Sequence, residues 1–283
     1  MAEACFLAHR DAGADAAGVP IARHAVRSLY QELALYPKPG LVSLVDTGSH
    51  EDMDASTFVR SLFSLRRYFL DIALAGAQDA SFAVLRDLGI EAERRMLLAT
   101  GGINTHRGAI FSLGMLCAAA GRSLSWQPAD LRATLVDCWG SALSQHRGSL
   151  ASNGALARAR HAAPGAREQA AAGFPAIFEL ALPTLRRTLA SGRGLRCARI
   201  DTLFTLMAEL SDTNVYHRGG LEGARIVRDT SLDFLARGGT AAAGWEEDAV
   251  AAHRVFVAHR LSPGGAADLL AATCFVHSLG SAS

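Results

Sequence analysis

Thr100-Gly101-Gly102-Ile103-Asn104-Thr105-His106-Arg107-Gly108, running on into Ala109-Ile110-Phe111-Ser112-Leu113-Gly114-Met115-Leu116-Cys117-Ala118-Ala119-Ala120-Gly121, holds the pattern that decides the fold. A glycine pair closes one helix, a polar junction follows, and an apolar helix is predicted from Thr105 to Gly121, with Gly121 as its left-handed cap. Further helical runs lie in both directions. Upstream, a helix over 82–98 runs into the glycine pair. Before it, Phe58, Leu62, Leu65, Phe69 and Ile72 fit one face of one helix from Thr57, with Ser56 or Asp54 to cap it. Ile21, Ala25, Leu29 and Leu33 repeat at the same spacing and stop before Pro37 and Pro39, whose rings cannot continue a helix. Downstream, Leu131, Leu135, Cys138 and Ala142 repeat along a helix opened by Pro128, and further helices are predicted over 175–190, 199–210, 219–235, 246–260 and 265–279. No period-two run, solenoid repeat or sustained heptad competes. The expected fold is all-α, a single globular multi-helix bundle over residues 21–283 with 1–20 as a flexible N-terminus.

Composition agrees and removes several classes of function. Of 283 residues half are apolar and 7% aromatic, so alanine and leucine dominate and favour helices. The formal charge is +1 with the arginines dispersed, which excludes the basic block of a nucleic-acid reader. Five widely spaced cysteines without a Cys-x-x-Cys pair read as buried thiols of a reducing cytosol. The first residues lack the basic segment of a secretory signal, and the longest apolar stretch, Ala109 to Ala120, is short of the roughly 20 residues that cross a membrane. A soluble cytoplasmic protein is expected.

Polar residues and glycines concentrate at four loop-to-helix junctions. The first runs from Glu32 through Pro37-Lys38-Pro39-Gly40 to Gly48-Ser49-His50-Glu51-Asp52-Met53-Asp54. One or two of its aspartates Asp46, Asp52 and Asp54 suit Mg²⁺, which keeps several waters while bridging substrate phosphates; Asp54 taken alone reads as a helix cap. The second, 100–108, offers two glycines, a helix N-terminus and the donors Asn104, His106 and Arg107 to a phosphate chain. The third, Ser211-Asp212-Thr213-Asn214-Val215-Tyr216-His217-Arg218-Gly219-Gly220, holds Asp212 and Asn214 for a metal or ribose and Arg218 for phosphate. The fourth, Leu261-Ser262-Pro263-Gly264-Gly265-Ala266-Ala267-Asp268, offers amides to an anion, with Asp268 one turn further on. Four such junctions predict one polar pocket at the ends of the bundle. His24, His253 and His259 lie on helices without polar company and receive no role.

The motifs Pro37-Lys38-Pro39-Gly40-Leu41-Val42, Gly48-Ser49-His50 with Asp52-Met53, Asn104-Thr105-His106-Arg107-Gly108-Ala109-Ile110-Phe111-Ser112, Asp212-Thr213-Asn214 with Arg218-Gly219-Gly220, and Ser262-Pro263-Gly264-Gly265-Ala266-Ala267-Asp268 resemble the triphosphoribosyl-dephospho-coenzyme A synthase family. The likeness covers nearly all the chain after residue 20. It implies an all-helical enzyme that joins the ribose of ATP to the ribose 2′-hydroxyl of 3′-dephospho-coenzyme A, expels adenine, and passes its product on toward an acyl carrier subunit. Length and Ser152-Asn153-Gly154 resemble the malonate decarboxylase branch more than the citrate lyase branch. Two departures stand out: Arg107 where lysine is common, and Gly165-Ala166-Arg167-Glu168-Gln169-Ala170 in place of a Gly-x-Arg-Gly-Glu-Ala pattern.

Displacing adenine builds positive charge on the ribose, as in glycoside cleavage, so the reaction needs a base, a donor to the departing adenine and cations for the triphosphate. Asp52 or Asp212 is the expected base, with Glu32 in reserve. Lys38, His50, Asn104, His106, Arg107, Asn214, Arg218, Gly219, Gly220, Ser262, Gly264, Gly265 and Asp268 are expected around phosphates and nucleotide, and Asp46, Asp52 and Asp212 around Mg²⁺. The segment 152–173 is a candidate flap, and a homodimer is allowed for. The competing readings are an ADP-ribosyl hydrolase-like enzyme, a prenyl-chain synthase, whose aromatic cavity and compact aspartate cluster are missing, and a helical scaffold for the carrier protein.

Overall fold

The long apolar-periodic runs fold as helices, and no strand forms among the described residues, 12–146 and 165–281 of the computed structural model, with side chains from residue 18. In chain order they are α1 (Ala12–Leu33), α2 (Ala55–Ser64), α3 (Arg66–Ala77), α4 (Phe82–Thr100), α5 (Arg107–Arg122), α6 (Pro128–Leu135), α7 (Ser141–Gln145), α8 (Ala166–Ala171), α9 (Leu182–Ala190), α10 (Gly194–Glu209), α11 (Thr213–Ala236), α12 (Trp245–Ala258) and α13 (Gly264–Gly280). The Ser152-Asn153-Gly154 segment and most of the candidate flap fall outside the described residues.

Several local expectations are corrected. The helix expected over 57–72 is two, α2 and α3, parted at the fully buried Leu65, whose amide reaches back to Leu62 and Phe63 carbonyls. Asp54 caps α2, its carboxylate accepting from the Thr57 amide at 2.9 Å. Gly101 does close α4 in the left-handed region (φ +68°), but Gly121 lies inside α5, which ends on Ser123. Between α6 and α7 a π-helical turn, Val136–Gly140, shifts the register, so Trp139 and Leu143 are buried where Cys138 and Ala142 were expected. Cys117 and Cys274 are buried thiols, whereas Cys138 is exposed and Cys197 partly so.

Two apolar cores meet along α13 and α9, with Leu182 of α9 in the first and Leu185 in the second. The first gathers Leu29, Leu33, Leu65, Phe69, Leu113 and Leu116 from α1, α3, α5 and the joint between α2 and α3; the second gathers Leu203, Phe204, Phe234 and Phe256 from α10 to α12. From α13, Phe275, Val276 and Leu279 enter the first and Ala266, Leu270 and Cys274 the second. The first is tight because α3 and α5 cross on glycines. A Cβ at Gly76 would collide with the Ala118 carbonyl, and one at Gly121 with that of Ala73. The N-terminal end of α13, at the seam of the cores, is where the polar junctions meet. Among the described residues no helix is long and apolar enough to cross a membrane.

Candidate active site

The loop between α1 and α2 is built onto the far half of the molecule. Gly40 (φ +68°) backs against the Leu261 carbonyl, so closely that a side chain would clash. Ser49 donates to the same carbonyl at 2.6 Å, and its amide bonds the Gly40 carbonyl. Arg218, from the first turns of α11, donates to the carbonyls of Ser49 and Arg260 and to His50 Nδ1 at 3.0 Å. With Nδ1 accepting, His50 donates through Nε2 to Ser262 Oγ at 2.8 Å. Burial and the Arg218 charge lower the His50 pKa, and Asp52, 3.5 Å from Nδ1, opposes them. His50, Arg218 and Ser262 thus clamp the first, third and fourth junctions together.

Behind the clamp lies the charged centre. Lys38, 1% exposed, pairs with Glu32 Oε1 at 2.5 Å, and Glu32 is itself buried in the last turn of α1. Burial pushes the Glu32 pKa up and the Lys38 pKa down, and their mutual attraction opposes both shifts. His253, given no role in the sequence, supports this pair: Nδ1 donates to the Lys38 carbonyl at 3.1 Å while Nε2 faces Asp46 Oδ2 at 3.6 Å.

The helix N-termini expected to receive substrate anions hold the protein's own carboxylates. Asp212 caps α11 through the Asn214 amide at 2.8 Å, and its other oxygen takes the Ala266 amide at 3.1 Å in the first turn of α13. Amides of Gly265 and Val215 also steady it against a burial that raises its pKa. Asp268 accepts from the Ala109 amide in the first turn of α5, and burial, Glu32 and Asp212 raise its pKa well above the usual carboxylate range. The adjoining glycines make room for these acids. A Cβ on Gly108 would strike Asp268 Oδ2, one on Gly265 would lie 2.9 Å from Asp212 Oδ2, and one on Gly264 2.9 Å from Asn214 Nδ2.

His106, at the start of α5, is 3% exposed and its ring meets Phe58 edge-on at 4.9 Å. Nδ1 bonds Ser61 Oγ at 2.6 Å, and Nε2 is buried without a partner among the described residues. Burial first, and then the Lys38 charge, drive its pKa down to about 3, so the ring is neutral at pH 7. Ser61 was missed in the sequence, although it interrupts the stripe of Phe58, Leu62 and Leu65 with a buried hydroxyl, which is a readable signal.

Other expected residues stand apart from this centre. Arg107 is exposed and paired with Glu93 on α4, and Asn104 Oδ1 accepts from the Arg107 amide instead of facing a ligand. Gly101 and Gly102 face open space. Gly219 gives room to the Leu261 side chain, and Gly220 (φ +59°, ψ −152°) kinks α11. Asp46 Oδ1 accepts from the Gly48 amide, and Asp52 is largely exposed. Asp46, Asp52 and Asp212 therefore form no common cage, and among the described residues no three His, Cys, Asp or Glu side chains do. Two surface cavities, about 440 Å³ beside Asp201 and about 840 Å³ between Val19 and Leu70, contain none of these groups.

Three buried or partly buried carboxylates, a paired lysine and a neutral histidine at the seam of a helical bundle make this the candidate site. The family model described as ATP:dephospho-CoA triphosphoribosyl transferase (CitG) matches residues 19–283, and the chain belongs to that family of transferases. It is 39% identical over 268 residues to a probable 2-(5''-triphosphoribosyl)-3'-dephosphocoenzyme-A synthase of Acinetobacter calcoaceticus, covering 90% of this chain and 92% of the relative. It is 38% identical to the synthase of that name from Klebsiella pneumoniae (90% and 93%), and 37% identical to that of Pectobacterium atrosepticum (91% and 88%). No solved structure matches the chain.

Proposed function

We propose that this chain transfers the triphosphoribosyl unit of ATP to the ribose 2′-hydroxyl of 3′-dephospho-coenzyme A. The hydroxyl oxygen bonds to C1 of the ATP ribose, the bond from that carbon to adenine breaks, and adenine leaves with the electron pair and takes up a proton. The observation that carries this reading is Asp268. Of the three central carboxylates, Glu32 is tied to Lys38 and Asp212 to amides on two helices, whereas Asp268 has the Ala109 amide as its bond and is partly exposed. Its raised pKa makes it a stronger proton acceptor than an ordinary carboxylate, suited to take the hydroxyl proton, and its charge steadies the cationic ribose.

The base role expected of Asp52, Asp212 or Glu32 accordingly passes to Asp268 in this proposal. Glu32 and Asp212 hold the site's shape and field, and Lys38 and His106 face the phosphates. Arg218 and His50, at the clamp, bind the outer end of the nucleotide, with Ser262 orienting His50. Magnesium enters as the companion of the triphosphate. It needs one or two carboxylates when phosphates complete its shell, and the exposed Asp52 fits that part. Its chemistry there is charge neutralisation on the phosphate oxygens. The resemblance of Ser152-Asn153-Gly154 supports the malonate decarboxylase branch, with the product passed on toward an acyl carrier subunit of that enzyme in the cytoplasm.

The test is to incubate the purified protein with ATP, 3′-dephospho-coenzyme A and Mg²⁺ and to follow adenine and the coupled product by chromatography and mass spectrometry. One adenine per product molecule, the product heavier by one triphosphoribosyl unit, is the expected outcome. Release of ADP-ribose from a modified protein in place of coupling overturns it.

A further inference from the structure

His106 Nε2 is a buried polar atom of the centre that no group among the described residues satisfies, and groups of that kind in a native fold call for a ligand or a catalytic task. The bonds on the other side of the ring decide which form of the imidazole presents it. Thr105 Oγ1 donates to Ser61 Oγ at 2.6 Å, so the Ser61 proton is directed onward to His106 Nδ1 at 2.6 Å. Nδ1 is thereby an acceptor, and the hydrogen of the neutral ring sits on Nε2. Phe58, edge-on to the ring at 4.9 Å, and the Met96 sulfur, which takes the His106 amide at 3.3 Å, leave the imidazole little freedom to turn. Around it stand the start of α5, whose dipole favours negative charge, the Lys38 ammonium within electrostatic reach, and Asp268 on the amide of Ala109.

We propose that His106 is a fixed neutral hydrogen-bond donor, through Nε2–H, to a phosphate oxygen of the bound triphosphate, and that Ser61 and Thr105 are positioning residues that hold it in that tautomer. The inference rests on the transferase reading for the identity of the triphosphate. The tautomer can be read without any turnover. A neutral donor of this kind holds charge without exchanging a proton, so His106 adds no limb to the pH–rate profile between pH 5 and 9.

The experiment is nitrogen NMR of the protein carrying ¹⁵N-histidine, with the His106 signals identified by their loss in H106Q. The expected result is a lone-pair Nδ1 and a protonated Nε2, unchanged from pH 5.5 to 9, with Nε2 shifting on addition of ATP and equally on addition of inorganic tripolyphosphate. In Ser61→Ala the two tautomers mix, and Ser61→Thr restores the single one. Because glutamine can place an amide N–H near Nε2, H106Q keeps kcat/KM within about a few-fold, while H106A loses roughly 10- to 100-fold, the worth of one hydrogen bond to a charged acceptor. A proton on Nδ1, titration of the ring between pH 5.5 and 9, or an Nε2 response to adenine but not to tripolyphosphate overturns the proposal. Absence of adenine release from the wild-type protein tells against the transferase reading alone.

Discussion

Asp268 takes its character from its neighbours, and so do the consequences of changing it. Burial, and then the charges of Glu32 and Asp212, raise its pKa, so the form able to accept a proton is lost as pH falls through a value above the ordinary carboxylate range. The kcat/KM profile is expected to carry an acid limb there. Asp268→Asn removes that limb and about 10²- to 10⁴-fold of the rate, the usual worth of a positioned base, with an unchanged circular dichroism spectrum. Lys38 answers to a different measurement. Replacing it by methionine leaves the Glu32 carboxylate buried beside two others, and urea unfolding should show a loss of about 3–5 kcal/mol, while Glu32→Gln with Lys38→Met loses less than the two single changes together. These residue types stood out in the sequence because carboxylates, lysine and histidine are conspicuous in an alanine-rich chain. Their partners did not. The approach of Asp212 to α13 and of Asp268 to α5 joins residues about 54 and 160 positions apart, and a helix N-terminus reads the same whether its amides await a substrate or already hold an acid.

At the scale of elements, legibility followed periodicity. The apolar stripes of α4, α5 and α13 have the 3.6-residue period and clear stops, so their existence and approximate bounds could be read, whereas α1 begins at Ala12, inside the stretch expected to be flexible. The division at Leu65 and the π-helical turn at Val136–Gly140 could not, because no glycine or proline marks the first, and Gly140 sits in the second without stopping the helical run, which continues into α7. Glycines misled in an instructive way: those of the polar junctions looked like phosphate loops, yet several are places where two parts of the chain touch. This separates two substitutions. Gly76→Ala drives a methyl into the Ala118 carbonyl in the first core and should cost about 1–3 kcal/mol in thermal or urea unfolding, with kcat preserved in the protein that stays folded. Gly108→Ala drives a methyl into the Asp268 carboxylate and should lower kcat strongly, because the group displaced is the proposed base. Equal effects of both changes on kcat would detach Gly108 from the chemistry.

The whole molecule places its charged centre where two cores meet, so occupancy of the site and stability of the fold are linked, and pH reaches stability through His106. In the unfolded chain this histidine binds a proton below about pH 6.5, while in the fold it does so only near 3. Its contribution to stability is therefore complete above pH 6.5 and is lost as pH falls toward 3, at a limiting slope of about 1.4 kcal/mol per pH unit for one proton. Glu32 and Asp268 act in the opposite sense, since burial raises both, so the difference between wild type and H106Q isolates the histidine: the variant should lack this slope in urea unfolding between pH 6.5 and 5. A triphosphate that accepts from Nε2–H stabilises only the folded form. At a hundred times its dissociation constant ATP is expected to add about 2.7 kcal/mol, seen as a rise in unfolding midpoint. Because the bond is made by the neutral ring, the rise should be the same at pH 6 and pH 8, whereas a bond made by an imidazolium would give more at pH 6. A helical scaffold that binds no nucleotide would show no rise at either pH, so the same titration weighs the catalytic reading against the structural one at the level of the entire chain.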